Sequence, residues 1–267
     1  MERPTSPEPE NLPRNIAVVI PALNEEEALP LVLAELQDAL GAFAKANSVG
    51  SIRILVVDNG STDGTSNAAL EGGAEIVFEP RKGYGQACLA GLEVLFAGSD
   101  PMEDSGLVLF LDADHSDYPA DLIGVLEPIV KGEADFVIGS RVLGGASMEA
   151  LLPQAWFGNR LCCFLMWLLF GVRHTDLGPF RALEARALKH LKMADTNFGW
   201  TIEMQLKAAA ANLRVVEVPV RYRARIGTSK ITGTIRGTVG AGTKILSWIF
   251  GWRVKSWFTR GGIPKYR

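Results

Sequence analysis

Acidic residues are missing from the last fifty positions of the chain. Val218–Arg267 carries 11 of the 27 Lys and Arg and none of the 30 Asp and Glu, leaving 16 basic against 30 acidic side chains elsewhere. The overall net charge of −3 conceals this split. A basic end on an acidic body calls for an anionic partner, and at this level nucleic acid, a phosphate ligand and anionic lipid all qualify. Cysteine is scarce as well. Cys88, Cys162 and Cys163 include no C-x-x-C pair, which argues against a disulfide framework and a thiolate zinc site and fits a reducing compartment. Long apolar runs are also lacking. Leu161–Val172 has 12 residues and Ile245–Phe250 is shorter, whereas a spanning helix needs about 20. The first of these reads as a core helix or an interfacial one. Neither the phosphate-cradling G-x-x-x-x-G-K-[ST] nor the dinucleotide G-x-G-x-x-G occurs. Met1–Arg14 is polar, carries four prolines and has no apolar stretch, so it reads as a disordered lead-in and not as a secretory signal.

What is present is an alternation of short apolar runs with helical patterns. Asn15–Ile20, Ile52–Val57, Glu75–Phe78, Gly106–Leu111 and Ala134–Ile138 read as strands. Between them, helices are expected from Asn24 as N-cap into EEEALPLVLAELQDALGAF, from about Thr65, over Gly85–Phe96 and over Pro119–Lys131. The strands are continuous apolar runs, as a sheet covered on both faces requires, and the order β-α-β implies parallel units with right-handed crossovers. Residues 15–141 thus read as an α/β nucleotide-binding half. Residues 142–231 follow as an acceptor half: a hydrophobic helix Trp156–Phe170, a loop around Asp176, helices 184–192 and 200–212, and a strand Leu213–Val220. Residues 232–267 form a basic, aromatic C-terminal segment.

Ligands of open α/β sheets bind at the carboxyl ends of the strands, and the polar clusters fall there. They are Pro21-Ala22-Leu23-Asn24-Glu25, Asp58-Asn59-Gly60-Ser61, Asp112-Ala113-Asp114 and Gly139-Ser140-Arg141. Asp112 and Asp114 at a loop tip offer hard oxygen donors suited to Mg²⁺ or Mn²⁺, which complete their shells with water and substrate phosphates. The bland alternative for an isolated D-x-D is a solvated acidic turn; the sibling clusters weigh against it here. Arg81-Lys82-Gly83-Tyr84-Gly85 is a glycine-rich basic turn opening a helix, able to meet a phosphate or to serve as a plain β–α turn.

In sequence order, VVIPALNEEEALP, ILVVDNGSTDGT, RKGYGQACLAGL, LFLDADHSDYPADL, FVIGSR, TDLGPFRA and GTSKI resemble the inverting nucleotide-sugar glycosyltransferases of family 2, which have the GT-A fold. Within that family the chain is most similar to dolichyl- or polyprenyl-phosphate sugar transferases of the dolichyl-phosphate mannose synthase type. The resemblance implies an α/β GT-A domain, a mostly parallel sheet with helices on both faces. It implies a UDP- or GDP-sugar donor, a lipid-phosphate acceptor and Mg²⁺ or Mn²⁺. It would place Pro21, Asn24 and Glu25 at the base and ribose, Asp58 facing the nucleoside, and Lys82 and Gly83 near the donor. Asp112 and Asp114 would hold the diphosphate through the metal. Arg141, Arg181, Ser229 and Lys230 would bind phosphates of donor or acceptor. Two departures stand out: Ser116 where the synthases often carry an amide or another ligand, and Gly178-Pro179-Phe180 in place of a glycine-serine pattern.

Charge develops on the leaving diphosphate during such a transfer, and a divalent cation with Arg and Lys neutralises it. A phosphate acceptor, with a second pKa of about 6, is already anionic and needs no strong base. A hydroxyl acceptor would need one, and Asp176 is then the candidate, against the plain reading of a turn-forming aspartate. In the tail, Arg and Lys interleave with Trp248, Phe250, Trp252, Trp257 and Phe258, a composition expected of a peripheral segment on the cytoplasmic membrane face. An oligomer contact or a packed C-terminal helix with a solvated basic face is the alternative. The acidic body and the lack of a known module exclude nucleic acid. A non-catalytic nucleotide-binding scaffold is the remaining reading from another class.

Overall fold

The computed structural model describes residues 14–146, 153–227 and 235–258. A seven-stranded sheet runs in the order β3-β2-β1-β4-β6-β5-β7. The strands are β1 (Arg14–Ala22), β2 (Val49–Asp58), β3 (Glu75–Phe78), β4 (Leu107–Phe110), β5 (Phe136–Ser140), β6 (Arg181–Glu184) and β7 (Val215–Pro219). All neighbours are parallel except β6, which is antiparallel to both β4 and β5. The expected mostly parallel α/β fold is therefore present, with one strand that the alternation did not announce.

The helices are α1 (Leu29–Ala46), α2 (Thr65–Glu71), α3 (Tyr84–Ala97), α4 (Leu122–Val130), α5 (Pro153–Phe170), α6 (Ala185–Leu191), α7 (Trp200–Ala210) and α8 (Ile235–Phe258). Period-2 geometry explains why β1 is apolar from Ile16 onward. Ile16, Val18 and Ile20 face a core layer with Leu29, Leu33 and Leu36 of α1 and Leu122 and Leu126 of α4. Ala17 and Val19 face the opposite layer, with Ala87 and Leu95 of α3 and Trp200 and Met204 of α7. Placing a charge at any of these positions would strand it between two covered faces.

Two boundaries depart from expectation. Asn24 does not cap α1. It adopts φ 53°, receives the Thr62 N–H on its side-chain oxygen and donates its own N–H to Ser61. The helix begins at Leu29, with Pro30 in its first turn, where a missing N–H costs nothing. The C-terminal basic segment, as far as it is described, is helix α8, whose Ile245, Trp248, Ile249 and Trp252 join a third core cluster with α5 and α7. Those aromatics pack inward, as the packed-helix alternative foresaw, while Phe250 is exposed. No helix among the described residues is long and apolar enough to cross a membrane.

Candidate active site

The strand ends converge on a cavity of about 300 Å³ lined by Pro21, Ala22, Leu23, Glu25, Asn59, Lys82, Gly83, Tyr84, Ala87, Asp112, Ala113, Asp114, Asn197, Phe198 and Arg225. Six of the expected residues meet there: Pro21, Glu25, Lys82, Gly83, Asp112 and Asp114. Parallel strands β1, β2 and β4 bring their carboxyl ends to one edge, which is why clusters far apart in sequence share a wall.

Asp112 and Asp114 follow β4 directly. Burial, then the charge of Asp114, pushes the Asp112 carboxyl up to about 7. The Tyr84 hydroxyl donates to its Oδ1 at 3.1 Å. Burial and the charges of Asp112 and Asp114 also hold Asp117 well above the ordinary carboxylate range. The acidic loop thus has more negative charge than its surroundings balance. Part of the balance comes from Arg225, whose guanidinium lies 2.9 Å from Asp114 and 3.1 Å from Glu25. The segment carrying Arg225 lies along the acidic loop, with backbone bonds from Arg223 to Ser116 and from Ile226 to Asp114. No group of three or more His, Cys, Asp or Glu among the described residues could hold a metal ion alone. Two hard carboxylates short of positive charge nevertheless fit a Mg²⁺ or Mn²⁺ that draws its other ligands from water and a diphosphate.

The glycine-rich turn has a different purpose from the phosphate cradle considered above. The Gly85 and Gln86 N–H groups at the start of α3 donate to the carbonyls of Asn197 and Thr196. Gly83 has φ +145°, and a Cβ there would overlap the Thr196 carbonyl oxygen; a Cβ on Gly85 would overlap that of Asp195. The glycines admit a neighbouring loop. Gly85→Ala should accordingly destabilise the fold by about 1–3 kcal/mol, read as a lower denaturant midpoint at unchanged slope.

Other expected residues are placed outside the cavity lining. Asp58 is buried at the end of β2, and its carboxylate accepts the Ser61 N–H at 2.7 Å and the Ser66 hydroxyl. It shapes its own turn, while the adjacent Asn59 reaches the cavity and binds the 79–83 loop through the Glu79 and Arg81 carbonyls and the Gly83 N–H. Asn24 borders a separate acidic hollow with Glu26, Glu27 and Asp63. Arg141 lies at the end of β5, stacked 5.1 Å from the Tyr222 ring centroid. It grips Asp176: its N–H and Nε reach Oδ2 at 2.8 Å each, and Nη2 reaches Oδ1 at 2.7 Å. Burial would raise the Asp176 pKa, but Arg141 holds it below the ordinary carboxylate value.

Arg181 corrects an expectation. As part of β6 it is fully buried, and its guanidinium donates to the Gly178, Leu177 and Thr201 carbonyls. A phosphate cannot reach a cation enclosed in the core. Ser229 and Lys230 lie outside the described residues. Asn197 and Phe198, absent from the sequence-based set, come from the loop between α6 and α7 and not from a strand end; the cap-forming Asp195-Thr196-Asn197 stretch before α7 was their only sign.

Residues 17–188 match the family model for glycosyl transferase family 2. An uncharacterized glycosyltransferase of Mycobacterium tuberculosis is 37% identical over 229 residues, covering 84% of this chain and 93% of its own. The undecaprenyl-phosphate mannosyltransferase of Micrococcus luteus is 31% identical over 238 residues, covering 83% and 89%. Among solved structures, glucosyl-3-phosphoglycerate synthase of M. tuberculosis with Mn²⁺, UDP and glucosyl-3-phosphoglycerate gives a TM-score of 0.63 over 89% of this chain and 80% of that one, at 21% identity, a likeness of fold.

Proposed function

This chain belongs to glycosyl transferase family 2, and from that membership we propose that it transfers a sugar from a UDP- or GDP-sugar to a polyprenyl phosphate, with inversion at the anomeric carbon. The observation that carries the acceptor assignment is an exposed apolar stripe on α5. Phe157, Leu161, Phe164 and Leu168 recur at helical spacing and are all exposed. Each such side chain, already partly covered, is worth about 1 kcal/mol once removed from water. Cations flank the stripe, with Arg160 stacked 4.2 Å from the Trp156 ring centroid and Arg173 5.9 Å from that of Trp167. Asn159 on the same helix ties it to the loop of Asp176, accepting the Leu177 N–H at 2.9 Å and donating to the Thr175 carbonyl at 3.3 Å. An apolar, basic-rimmed helix beside the Arg141 pair suits an anionic prenyl lipid at a membrane surface. The undecaprenyl-phosphate mannosyltransferase relative supports the same acceptor class.

In this reading Pro21, Glu25 and Asn59 receive the nucleoside, and Asp112 and Asp114 hold Mg²⁺ or Mn²⁺. The cation, when bound, neutralises the diphosphate. Lys82 and Arg225 add positive charge at the same wall, and Tyr84 orients Asp112. Arg141, fixed by Asp176, faces the acceptor phosphate. A phosphate oxygen attacks the anomeric carbon from the face opposite the diphosphate. The new C–O bond forms as the old one breaks, and the electron pair leaves with the nucleoside diphosphate. No proton need be abstracted, since the acceptor is already anionic.

The test is a transfer assay with labelled UDP- and GDP-sugars, Mn²⁺ or Mg²⁺, and polyprenyl phosphate present or absent. Label should enter the organic phase only with metal and lipid phosphate together. Donor consumed while label stays aqueous would replace this acceptor with a soluble one or water.

A further inference from the structure

The C-terminal helix reaches the donor cavity through one carboxylate. Asp195 lies in the loop between α6 and α7 and is buried. Its Oδ1 accepts the backbone N–H groups of Asn197 at 2.8 Å and Gly199 at 3.0 Å. Its Oδ2 accepts the indole N–H of Trp248 at 2.6 Å and pairs with Lys244 Nζ at 3.1 Å, both on α8. Packing follows the same route. A Cβ on Gly199 would overlap the Trp248 indole, and one on Gly240 would lie 3.8 Å from the Phe198 ring. Fully buried Glu203 fixes the start of the loop by accepting the Ala194 and Asp195 N–H groups at 3.0 and 2.8 Å. The loop's far side is the cavity wall, since Asn197 and Phe198 line the cavity and the Thr196 and Asn197 carbonyls receive the first N–H groups of α3.

A buried carboxylate is stable only while its oxygens are occupied. Two of its four partners come from α8. If that helix moves, Asp195 must seek other donors or water, and the turn it organises through Asn197 and Gly199 shifts with it.

We infer that Asp195 is a positioning residue coupling α8 to the nucleotide pocket: α8 in place holds Asn197 and Phe198 against the donor, and a bound nucleotide in turn secures α8. The second half follows from the first, because a coupling free energy is reciprocal. A surface that pulls on α8, or a partner that binds it, would thereby alter donor affinity without entering the cavity. The inference rests on the cavity being the donor site.

Trp248 and Lys244 line no part of that cavity, so substitutions there read the coupling and not direct contact. Trp248→Phe keeps the ring packing and removes the indole donor; Lys244→Met keeps the stem and removes the charge. Titration of the full chain with UDP or GDP and Mn²⁺ should show binding weakened about 5- to 10-fold in Trp248→Phe, at the low end of the roughly 5- to 150-fold range typical of coupling between two sites. With donor saturating, kcat should stay near wild type while the donor KM rises. In wild-type protein, nucleotide with Mn²⁺ should slow amide hydrogen exchange across 235–258, and Asp195→Asn should abolish that slowing. Nucleotide affinity unchanged in both α8 variants, even with a lowered melting temperature, would overturn the coupling, as would α8 exchange indifferent to nucleotide. A wild-type chain that binds neither UDP nor GDP would instead overturn the donor-site reading.

Discussion

Asp112→Asn should reduce sugar transfer on the order of 10³-fold or more while leaving the protein as stable as before, or more so. The two halves have one cause. Asp112 sits where burial and Asp114 make its ionised form costly, which is why its carboxyl is raised to about 7. Asparagine keeps the shape and an acceptor for the Tyr84 hydroxyl but cannot supply the anionic oxygen that a Mg²⁺ or Mn²⁺ requires. The sign of the pH effect is fixed. A carboxyl whose folded pKa lies above its unfolded value of 3.8 stays protonated in the native state after the unfolded chain has lost its proton. Stability without metal therefore falls as pH rises from about 4 toward about 7 and levels off beyond. In Asp112→Asn that descent should flatten, leaving the variant relatively more stable at pH 8 than at pH 4. Melting curves at both pH values, with and without Mn²⁺, together with an activity assay, read all of this. A variant with substantial transfer would remove Asp112 from the donor machinery.

How far the site could be read in advance depends on what each residue's neighbours contribute. Strands β1, β4, β5 and the buried end of β2 were legible because a stretch covered on both faces must be apolar at every position, edge strand β3 from its short apolar run, and their polar terminations had to lie along one edge. The lining by Pro21, Glu25, Asp112 and Asp114 follows from those strand ends, whereas Lys82 and Gly83 were placed near the donor by the family resemblance. Strand β6 was not legible. Its four residues, Arg181–Glu184, run directly into α6, and a buried arginine in a strand looks like a surface one until its carbonyl partners are known. The start of α1 was misjudged because Asn24 has two local uses. Its side chain can cap a helix, but here it turns at positive φ and serves the 61–62 loop, leaving Pro30 to open the helix. Asn197 and Phe198 were hidden for another reason: they reach the cavity by tertiary packing of a helix–helix loop, which no strand-end rule anticipates. Arg225 was counted as one more cation of the basic tail, yet geometry singles it out by placing it between Asp114 and Glu25.

Asp176→Asn tests the other half of the site, and the expected failure is structural. The carboxylate is fully buried, and both of its oxygens are taken by Arg141. Replacing it leaves the guanidinium without its hydrogen-bonded carboxylate partner, and breaking one partner of such a pair costs about 3–5 kcal/mol. The melting temperature should fall on the order of 10 °C for a chain of this size. Transfer should fall too, because Arg141 loses the support that aims it. A catalytic base would behave otherwise: turnover would collapse at nearly wild-type stability, and the pH–rate profile would lose its acidic limb. The direction of the shift separates the two. Arg141 keeps the folded pKa of Asp176 below its ordinary value, so its stabilising contribution is complete above pH 3.8 and is lost only as pH falls through the folded pKa. Such a weakly basic carboxylate, doubly occupied, is poorly suited to take a proton from a hydroxyl near neutrality. A second variant separates the stranded charge from the lost carboxylate. Adding Arg141→Met to Asp176→Asn removes the stranded charge and should recover much of the lost stability, because the two effects belong to one pair and cannot add. Activity should not return, since the double variant lacks the cation that the proposed function sets against the acceptor phosphate. Recovery of stability without recovery of transfer would establish Asp176 as the residue that holds Arg141 in place. Stable Asp176→Asn protein lacking only turnover would return the base, and with it a hydroxyl acceptor.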